Sequence, residues 1–471
     1  MRFRNRNRAL LVLLVGGSLL ALACSQTSTL TPEANNAGEE MVQLLQEDRP
    51  FTAISSDLFE RLGWDLPDGG TRVKALADRA PGGAFDPREL EALPAQELGY
   101  RAMWHEVRYK YYGLDWDVTG LHLIPNQPLP GLPTLVIIHG GSANWYEFFL
   151  DPLNRPGLGQ YLAQKVPVML VTIPGNYAHG GWTEPSYADR IPGYLLDQEL
   201  SAKEAKVRNA VYTFRVVAEG VRQLIEQHTS GPVVVVGHST GGEIRFMLED
   251  SSLKERMGGL SLGWGSGGPA LLHKIMEGED AHRESAIERF TSYPHVADLR
   301  ARSAEGYVTS KYIGPLNPVR GSTDLVTAER WYQLEQRRRP QFKQVLQDLE
   351  HQGADELRER EEREIRETLQ KNNPGVKPEE VIADLFSTND APMTGYKKMI
   401  WLVARLDNGH WNENPEKASE LKVANEFRKR NPTIPVRVGL FDLPMTHYGH
   451  IEKPRQVAGG LVAALRWLVE P

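Results

Sequence analysis

The chain has 471 residues and a formal net charge of −7, and 41% of its residues are hydrophobic against 24% charged. These proportions are ordinary for a globular protein with ample chain to bury a core, and the acidic balance argues against a nucleic-acid partner. Cys24 is the only cysteine, so no disulfide within the chain supports the fold.

The N-terminal segment 1–23 has the pattern of an export signal. Four arginines within 1–8 precede an apolar run that is too short for a comfortable transmembrane helix, and Ala21 and Ala23 suit a cleavage site directly before Cys24. This ending resembles the lipobox of bacterial lipoproteins, in which the cysteine is lipidated and becomes the mature N-terminus, although alanine replaces the usual leucine three residues before it. An ordinary signal peptidase could also cut after Ala23.

Export and lipidation at Cys24 would anchor the protein to a bacterial membrane in the cell envelope, on the periplasmic or cell-surface side. Removing the four arginines of the signal leaves 50 basic residues against 61 acidic ones, a net charge of −11. Attachment is therefore expected to come from the lipid and not from a basic patch. Residues 24–36, rich in Ser, Thr, Pro and Asn, are predicted to be the lipidated cysteine and a flexible tether.

Two consecutive segments are predicted to fold next. Residues 37–101 form an N-terminal extension packed on the core, with short helices at 41–45 and 58–62, and residues 102–269 form the first part of an α/β core. That core opens on a hairpin, after which buried strands alternate with helices, so a mostly parallel sheet covered on both faces is expected. The predicted strands are 102–112, 116–124, 134–138, 166–173, 232–237 and 260–264, and the predicted helices are 157–165, 200–227 and 243–248.

Residues 270–394 have a different character and are predicted to be a helical cap inserted after the sixth strand. The runs 329–351 and 354–371 are dense in Arg, Glu and Gln at helical spacing, which is typical of solvated helix faces. A cap at this position would cover the carboxyl edge of the sheet. The second part of the core, 395–471, is predicted to contain strands at 398–403 and 434–441 and helices at 415–430 and 455–468.

The stretch Pro232–Glu243 has the sequence PVVVVGHSTGGE. Four consecutive valines predict a strand buried on both faces, and the G-x-S-x-G pattern that follows leads directly into a predicted helix. Strand, G-x-S-x-G and helix in this order are the context of a nucleophile elbow, in which glycines permit a tight turn and the serine hydroxyl projects from the sheet edge. Ser239 is therefore the predicted nucleophile.

The elbow resembles that of the α/β-hydrolase superfamily, and the resemblance covers roughly 102–471 without the cap. It implies the α/β-hydrolase fold, with a mostly parallel central sheet flanked by helices and catalytic residues in the chain order Ser, Asp, His. A serine hydroxyl needs a base to take its proton, and the base needs an orienting acid.

Two histidines compete for the role of base after the last predicted strand. Many superfamily members carry a run in which the catalytic histidine is followed by a second histidine three residues later, then by Leu or Ile, Glu, a basic residue and Pro. The segment 447–454 resembles this run with His447 in the catalytic place, and its seven-residue gap to Pro454 fits His447 and not His450. His447 is favoured, and His450 is the alternative.

Two aspartates compete for the role of acid. Asp407 comes four residues after a predicted strand, where superfamily members that use this strand place their carboxylate, and Asp442 follows the last strand, five residues before His447. Asp407 is favoured, although Asp-Asn-Gly at 407–409 is also typical of a plain turn.

The oxyanion formed during acyl transfer needs backbone donors. The resemblance assigns them to the N–H of Thr240, directly after the nucleophile, and to the N–H of Gly141 in the 139–142 loop, whose sequence HGGS is similar to the family's HG motif. The spacing of histidines, cysteine and acids matches no metal site and the glycines match no phosphate loop, so no metal and no cofactor is expected.

The favoured function is hydrolysis of a carboxylic ester, from a small-molecule or lipid-like substrate, through an acyl-enzyme on Ser239. Amidases, peptidases, thioesterases, acyltransferases and carbon–carbon bond hydrolases share the same constellation, and a surface binding lipoprotein without turnover is the alternative from another class. The pattern does not indicate an oligomeric state.

Overall fold

The computed structural model describes the core of the chain in separate stretches. They are residues 52–55, 57–64, 66, 70–79, 85–139, 144–151, 154–174, 207–208, 210–238, 241–248, 252–253, 257–262, 359, 362–385, 398–405, 419–441, 445 and 449–470. The predicted signal, Cys24 and tether lie outside these residues, as does most of the predicted cap. Among the helices of the described stretches, none has the length and apolar character needed to cross a bilayer.

One nine-stranded sheet organises the described residues, in the order β1-β9-β8-β7-β6-β4-β5-β3-β2. The pairs β3–β5 and β2–β3 are antiparallel, and the other neighbours are parallel. The strands are β1 Thr52–Ile54, β2 Tyr100–Tyr111, β3 Leu114–Pro125, β4 Thr134–Ile138, β5 Val168–Thr172, β6 Val233–His238, β7 Met257–Leu262, β8 Met399–Ala404 and β9 Val436–Phe441. The predicted mostly parallel sheet is confirmed.

Helices cover both faces of this sheet. The helices are α1 Leu58–Leu62, α2 Gly70–Ala77, α3 Ala95–Leu98, α4 Tyr146–Phe149, α5 Leu158–Leu162, α6 Phe214–His228, α7 Gly241–Met247, α8 Pro378–Leu385, α9 Ser419–Arg430, α10 Gly449–Glu452 and α11 Pro454–Val469. A 3₁₀ helix spans Pro87–Leu90.

Two hydrophobic clusters lie on the two faces. Helices α1, α4, α5 and α11 contribute to one, and α6, α7 and α9 contribute to the other. Strand β6 supplies both, because its residues alternate between the faces: Val234 and Val236 join the first cluster, and Val233 and Val235 join the second. The six residues of β6 are all buried, as expected for a central strand of a parallel sheet.

Two differences from the sequence-based prediction concern the edge of the sheet and the start of α6. Strand β1 was not predicted, and it extends the sheet by pairing in parallel with β9. The prediction of a single helix over 200–227 is wrong in its continuity: residues 207–208 and 210–211 are helical, but residues 212–213 are not, and α6 begins at Phe214. Thr213 is extended, and its hydroxyl accepts a hydrogen bond from the Val216 N–H at 3.3 Å, which is the geometry of an N-cap.

A described part of the predicted cap packs on the α6 face. A helix over 362–372 and helix α8 place Ile365, Leu369 and Val381 in that cluster. The Asp384 carboxylate accepts hydrogen bonds from the hydroxyls of Tyr111 and Tyr112, at the turn between β2 and β3. The two bonds hold the end of α8 against the hairpin. The predicted domain boundaries remain predictions.

Candidate active site

The predicted catalytic residues follow strands that end at one edge of the sheet. Strands β4, β6, β8 and β9 are parallel, so their carboxyl ends share that edge. Gly141 comes three residues after β4, Ser239 directly after β6, Asp407 three residues after β8, and His447 six residues after β9. The predicted nucleophile, oxyanion donors, both candidate acids and the favoured base lie outside the described residues: Ser239, Thr240, Gly141, Asp407, Asp442 and His447. Their mutual geometry therefore stays a prediction.

The turn between β6 and α7 is as tight as a nucleophile elbow requires. A Cβ on Gly237 would lie 2.5 Å from the Cα of Gly242 and 2.6 Å from the carbonyl oxygen of Gly241. A Cβ on Gly241 would lie 2.8 Å from the carbonyl oxygen of His139, and it would also collide with that of Ile138. Because these neighbours are backbone atoms, the two outer glycines of G-x-S-x-G cannot be replaced without moving the strand or the helix.

The chain beyond β4 is fixed to the end of β5. The buried His139 ring accepts a hydrogen bond at Nε2 from the Ile173 N–H at 3.1 Å, which makes it a structural group. The Trp145 N–H donates to the hydroxyl of Thr172 at 2.9 Å. These two bonds lie on either side of the loop that contains Gly141.

A buried carboxylate and a buried imidazole meet at this edge. Nε2 of His450 lies 2.6 Å from Oε1 of Glu147, and the side chains are 1% and 3% exposed. Glu147 belongs to α4, and His450 is the second residue of α10. The distance is that of a charge-assisted hydrogen bond.

Aromatic rings enclose this pair. The Phe148 ring stacks on the His450 ring with centroids 4.5 Å apart, and the His238 ring meets His450 edge-on at 4.3 Å. Phe148 and His238 are 5.8 Å apart in a T-shaped arrangement. We call Glu147, Phe148, His238 and His450 the carboxyl-edge cluster. His238 is the residue directly before Ser239 and is 2% exposed.

Three members of the carboxyl-edge cluster have the donor atoms of a metal site. One ligand atom from each of Glu147, His238 and His450 lies within 4.8 Å of the others. Two imidazoles and a carboxylate are a common zinc donor set, so these residues could hold an ion. Without an ion, Nε2 of His450 and Oε1 of Glu147 are already paired with each other in a 2.6 Å hydrogen bond.

The aromatic run beside Glu147 belongs to the core. Trp145, Tyr146, Phe148 and Phe149 are fully buried, and Trp145 makes edge contacts with Tyr146 at 5.4 Å. Their burial favours a role in core packing over a role in lining an acyl pocket.

A second group of histidines lies on the outer strands β2 and β3 and at the end of α6. The His105 ring stacks on His228 with centroids 3.9 Å apart, and His122 lies 5.8 Å from His105. Burial, with the charge of His228 as a second cause, lowers the pKa of His105 to about 4, while Glu91 opposes this shift. Burial also lowers the pKa of His122 to about 4, with smaller contributions from His105, His228 and Arg101. We call His105, His122 and His228 the outer histidine group.

Sequence reasoning missed Glu147 and His238. Glu147 is the single charged residue in the run WYEFF, and a lone carboxylate in an apolar run is a signal that it could be buried and paired. His238 occupies a variable position of G-x-S-x-G, which carries no such signal. The contact between Glu147 and His450 spans 303 positions, so no local pattern could have shown it.

Comparison with known proteins identifies the family. Residues 135–458 match the model of the alpha/beta hydrolase family. The match spans more than half of the chain and includes the elbow, so the chain belongs to the alpha/beta hydrolase family. No curated protein matched the sequence.

Several solved structures are similar to this chain at low sequence identity. A candidate lipase from Acinetobacter baumannii AYE is 16% identical with a TM-score of 0.38, over 79% of this chain and 93% of that one. A candidate acyltransferase from Salmonella enterica is 15% identical with a TM-score of 0.41, over 79% and 96% of the two chains. An epoxide hydrolase from Vigna radiata is 11% identical with a TM-score of 0.37, over 77% and 96%. Likeness at this level carries no argument about activity.

Proposed function

We propose that the protein is a serine hydrolase that cleaves carboxylic esters through Ser239, His447 and Asp407. Membership of the alpha/beta hydrolase family supports hydrolase activity in general. The observation that carries the proposal is the strand-to-helix turn at residues 237–241, where backbone contacts permit only glycine at both outer positions of G-x-S-x-G. A turn of this tightness is what presents a serine as a nucleophile at the sheet edge.

In the proposed reaction, His447 takes the hydroxyl proton as Ser239 Oγ attacks the ester carbonyl carbon. The N–H groups of Thr240 and Gly141 stabilise the oxyanion, and Asp407 orients the imidazole and stabilises its charged form. The imidazolium then gives the proton to the leaving alkoxide, which departs as an alcohol. Water, deprotonated by His447, attacks the acyl-enzyme, and the acid leaves as Ser239 regains its proton.

The contact of His450 favours His447 as the base. A catalytic histidine presents one ring nitrogen to the serine and the other to its acid. In His450, Nε2 is hydrogen-bonded to Glu147, which is neither of the two predicted acids. Use of His450 as the base would therefore require Glu147 as its acid, which replaces two of the three predicted residues.

The test is ester turnover by the purified full chain in detergent, with short-chain and long-chain nitrophenyl esters. Ser239→Ala and His447→Ala should each lower kcat by roughly a thousandfold or more, with labelling by a fluorophosphonate probe lost in Ser239→Ala. Asp407→Ala and Asp442→Ala form a matched pair, and the larger loss identifies the acid. Full activity in Ser239→Ala would refute the proposal.

The same experiment separates the alternatives. A wild type that reacts with the fluorophosphonate but turns over no ester would keep the triad and point to an amide, acyl-transfer or carbon–carbon substrate. A wild type that is inert in both assays would favour the surface binding lipoprotein.

Lipid anchoring through Cys24 is a further part of the proposal, supported by the basic, apolar and small-residue pattern of 1–24. In a bacterial host, Cys24→Ala should prevent incorporation of radiolabelled palmitate and release the protein from the membrane fraction. Equal palmitate incorporation in Cys24→Ala would overturn the assignment.

A further inference from the structure

Three residues of the carboxyl-edge cluster lie close in sequence to predicted catalytic groups, namely the nucleophile, the base and one oxyanion donor. His238 directly precedes Ser239, His450 follows His447 by three residues, and Glu147 follows Gly141 by six residues. These three side chains come from β6, α10 and α4, and all are at least nine-tenths buried. The three chain segments next to the predicted nucleophile, base and oxyanion donor therefore meet one another in this cluster.

We propose that Glu147 and His450 are positioning residues whose hydrogen bond holds the loop carrying His447 against the elbow and the oxyanion loop. This inference rests on the proposed function, because it assigns the held loop its catalytic histidine. Neither residue is assigned contact with the substrate.

The Glu147 side of the contact is rigidly held. The Tyr146 N–H donates to Oδ1 of Asn144 at 2.9 Å, next to the Trp145 bond to Thr172. At the other end of α4, the amide of Gln160 donates to the carbonyl of Phe149 at 2.8 Å. Glu147 is thus presented from a helix that is fixed at both ends to β5 and α5.

On the His450 side, the chain is held on both sides of 446–448. A Cβ on Gly449 would lie 2.6 Å from Sδ of Met445, so the residues that flank this segment are packed directly against each other. Met445 and Gly449 are both buried. His450, the next residue, extends this contact to Glu147, so a shift of the segment that carries His447 would also move His450.

A hydrogen-bonded pair holds a loop more strictly than apolar contacts do. Apolar packing tolerates small displacements, whereas a buried carboxylate that loses its donor bears the full cost of desolvation. Any position of the loop that separates His450 from Glu147 is therefore penalised. Phe148 and His238, on two sides of the His450 ring, restrict its orientation further.

The test compares Glu147→Gln, His450→Gln and the double variant in the full chain. Each single change keeps the side chain polar but weakens the pair, and kcat and the rate of fluorophosphonate labelling should fall by roughly 10- to 100-fold, as for small misplacements of a catalytic group. KM should stay within about twofold, because the pair does not touch the substrate. The double variant should lose no more than the worse single variant, since both remove one interaction.

Tyr109→Phe is the matched control for stability. It removes another buried hydrogen bond, from the Tyr109 hydroxyl to the Val216 carbonyl at 2.7 Å, between β2 and α6 on the opposite face of the sheet from α4. It should lower Tm while leaving kcat unchanged. A purely structural role for Glu147 would give the same result, so Glu147→Gln with the lowered Tm and unchanged kcat of Tyr109→Phe would overturn the proposal.

Two other results would also overturn it. If His450→Gln were as inactive as Ser239→Ala while His447→Ala stayed active, His450 would be the base. If the purified protein held one equivalent of zinc that Glu147→Gln lost, the cluster would be a metal site. A wild type that never labels with the fluorophosphonate would reject the proposed function itself, whereas a wild type that labels beside unaffected variants would reject the positioning role alone.

Discussion

The carboxyl-edge cluster and the outer histidine group place the same kind of side chain in two different settings. In the first, His450 is buried against the Glu147 carboxylate at 2.6 Å. In the second, His122 is buried, and its Nε2 has no hydrogen-bond partner among the described residues. Burial lowers the pKa of His122. Of the two groups, as far as their described residues show, the carboxyl-edge cluster is the one with an acid bonded directly to a histidine.

The difference indicates which buried histidine stabilises the fold, so that its removal costs free energy, and which one costs free energy when it is protonated. Taking away His450 would leave a carboxylate in an apolar environment without its donor. Taking away His122 would remove a polar group that burial already penalises. Both groups are rich in histidine, so composition alone does not distinguish them. They differ in that the carboxyl-edge cluster lies at the carboxyl ends of parallel strands and contains a paired acid.

The sharpest test of this comparison is one substitution made in both places. His450→Leu should lower the free energy of unfolding by roughly 3 kcal/mol or more, because Glu147 stays buried and unpaired. His122→Leu should change it at pH 7 by no more than about 0.5 kcal/mol, or raise it. Urea denaturation of the two variants beside wild type measures both. Equal losses would show that the acid pairing is not what distinguishes the clusters.

Gly241→Ala tests whether the elbow backbone holds the carboxyl-edge cluster together. The added Cβ would meet the carbonyls of Ile138 and His139, so a loss of roughly 1 to 3 kcal/mol is expected from overpacking. Ester turnover should fall by roughly 100-fold, because the serine is misplaced. Gly231→Ala is the control, since a Cβ there meets nothing within 4 Å. Wild-type stability and turnover in Gly241→Ala would contradict the geometry of the turn.

Acid should weaken the protein through the outer histidine group. The pKa of His122 is about 4 in the folded chain against an ordinary value of 6.5, so the unfolded chain binds more protons as the pH falls below about 6.5. Stability is then full at neutral pH and declines toward pH 4, by roughly 3 kcal/mol from His122.

The measurement is urea denaturation at pH 7 and pH 4.5 in wild type and His122→Leu. The decline should be smaller in the variant, and contributions from carboxylates cancel in the comparison. The same decline in both proteins would mean that His122 titrates normally in the folded state.

His228→Gln should have the smallest effect on stability, under about 1 kcal/mol, because the ring is only partly buried and one stacking contact is lost. Its effect on titration should be clear. The charge of His228 is one of the causes that lower the pKa of His105 and of His122, so both pKa values should rise in the variant. NMR titration of the imidazole protons measures this, and unchanged values would exclude the coupling.

Local patterns predicted most elements of the core closely. Strand β4 was predicted at 134–138 and is Thr134–Ile138, and helix α1 was predicted at 58–62 and is Leu58–Leu62. Runs of β-branched residues and the periodicity of apolar positions are properties of short segments, so they are visible without the rest of the chain. Strand β1 was missed because it has three residues, and only pairing with β9 makes it a strand.

The sequence by itself determined the family, the mostly parallel sheet and the glycines of the elbow, because each depends on a pattern within one segment. Residues at the predicted strand ends also nominated Ser239, His447 and Asp407, whose geometry remains a prediction. Only the tertiary structure decided that Glu147 and His450 meet, that His238 lies against His450, and that the outer histidines pack against one another. Burial and long-range pairing depend on the whole fold, and they set the energy of every charged group inside it.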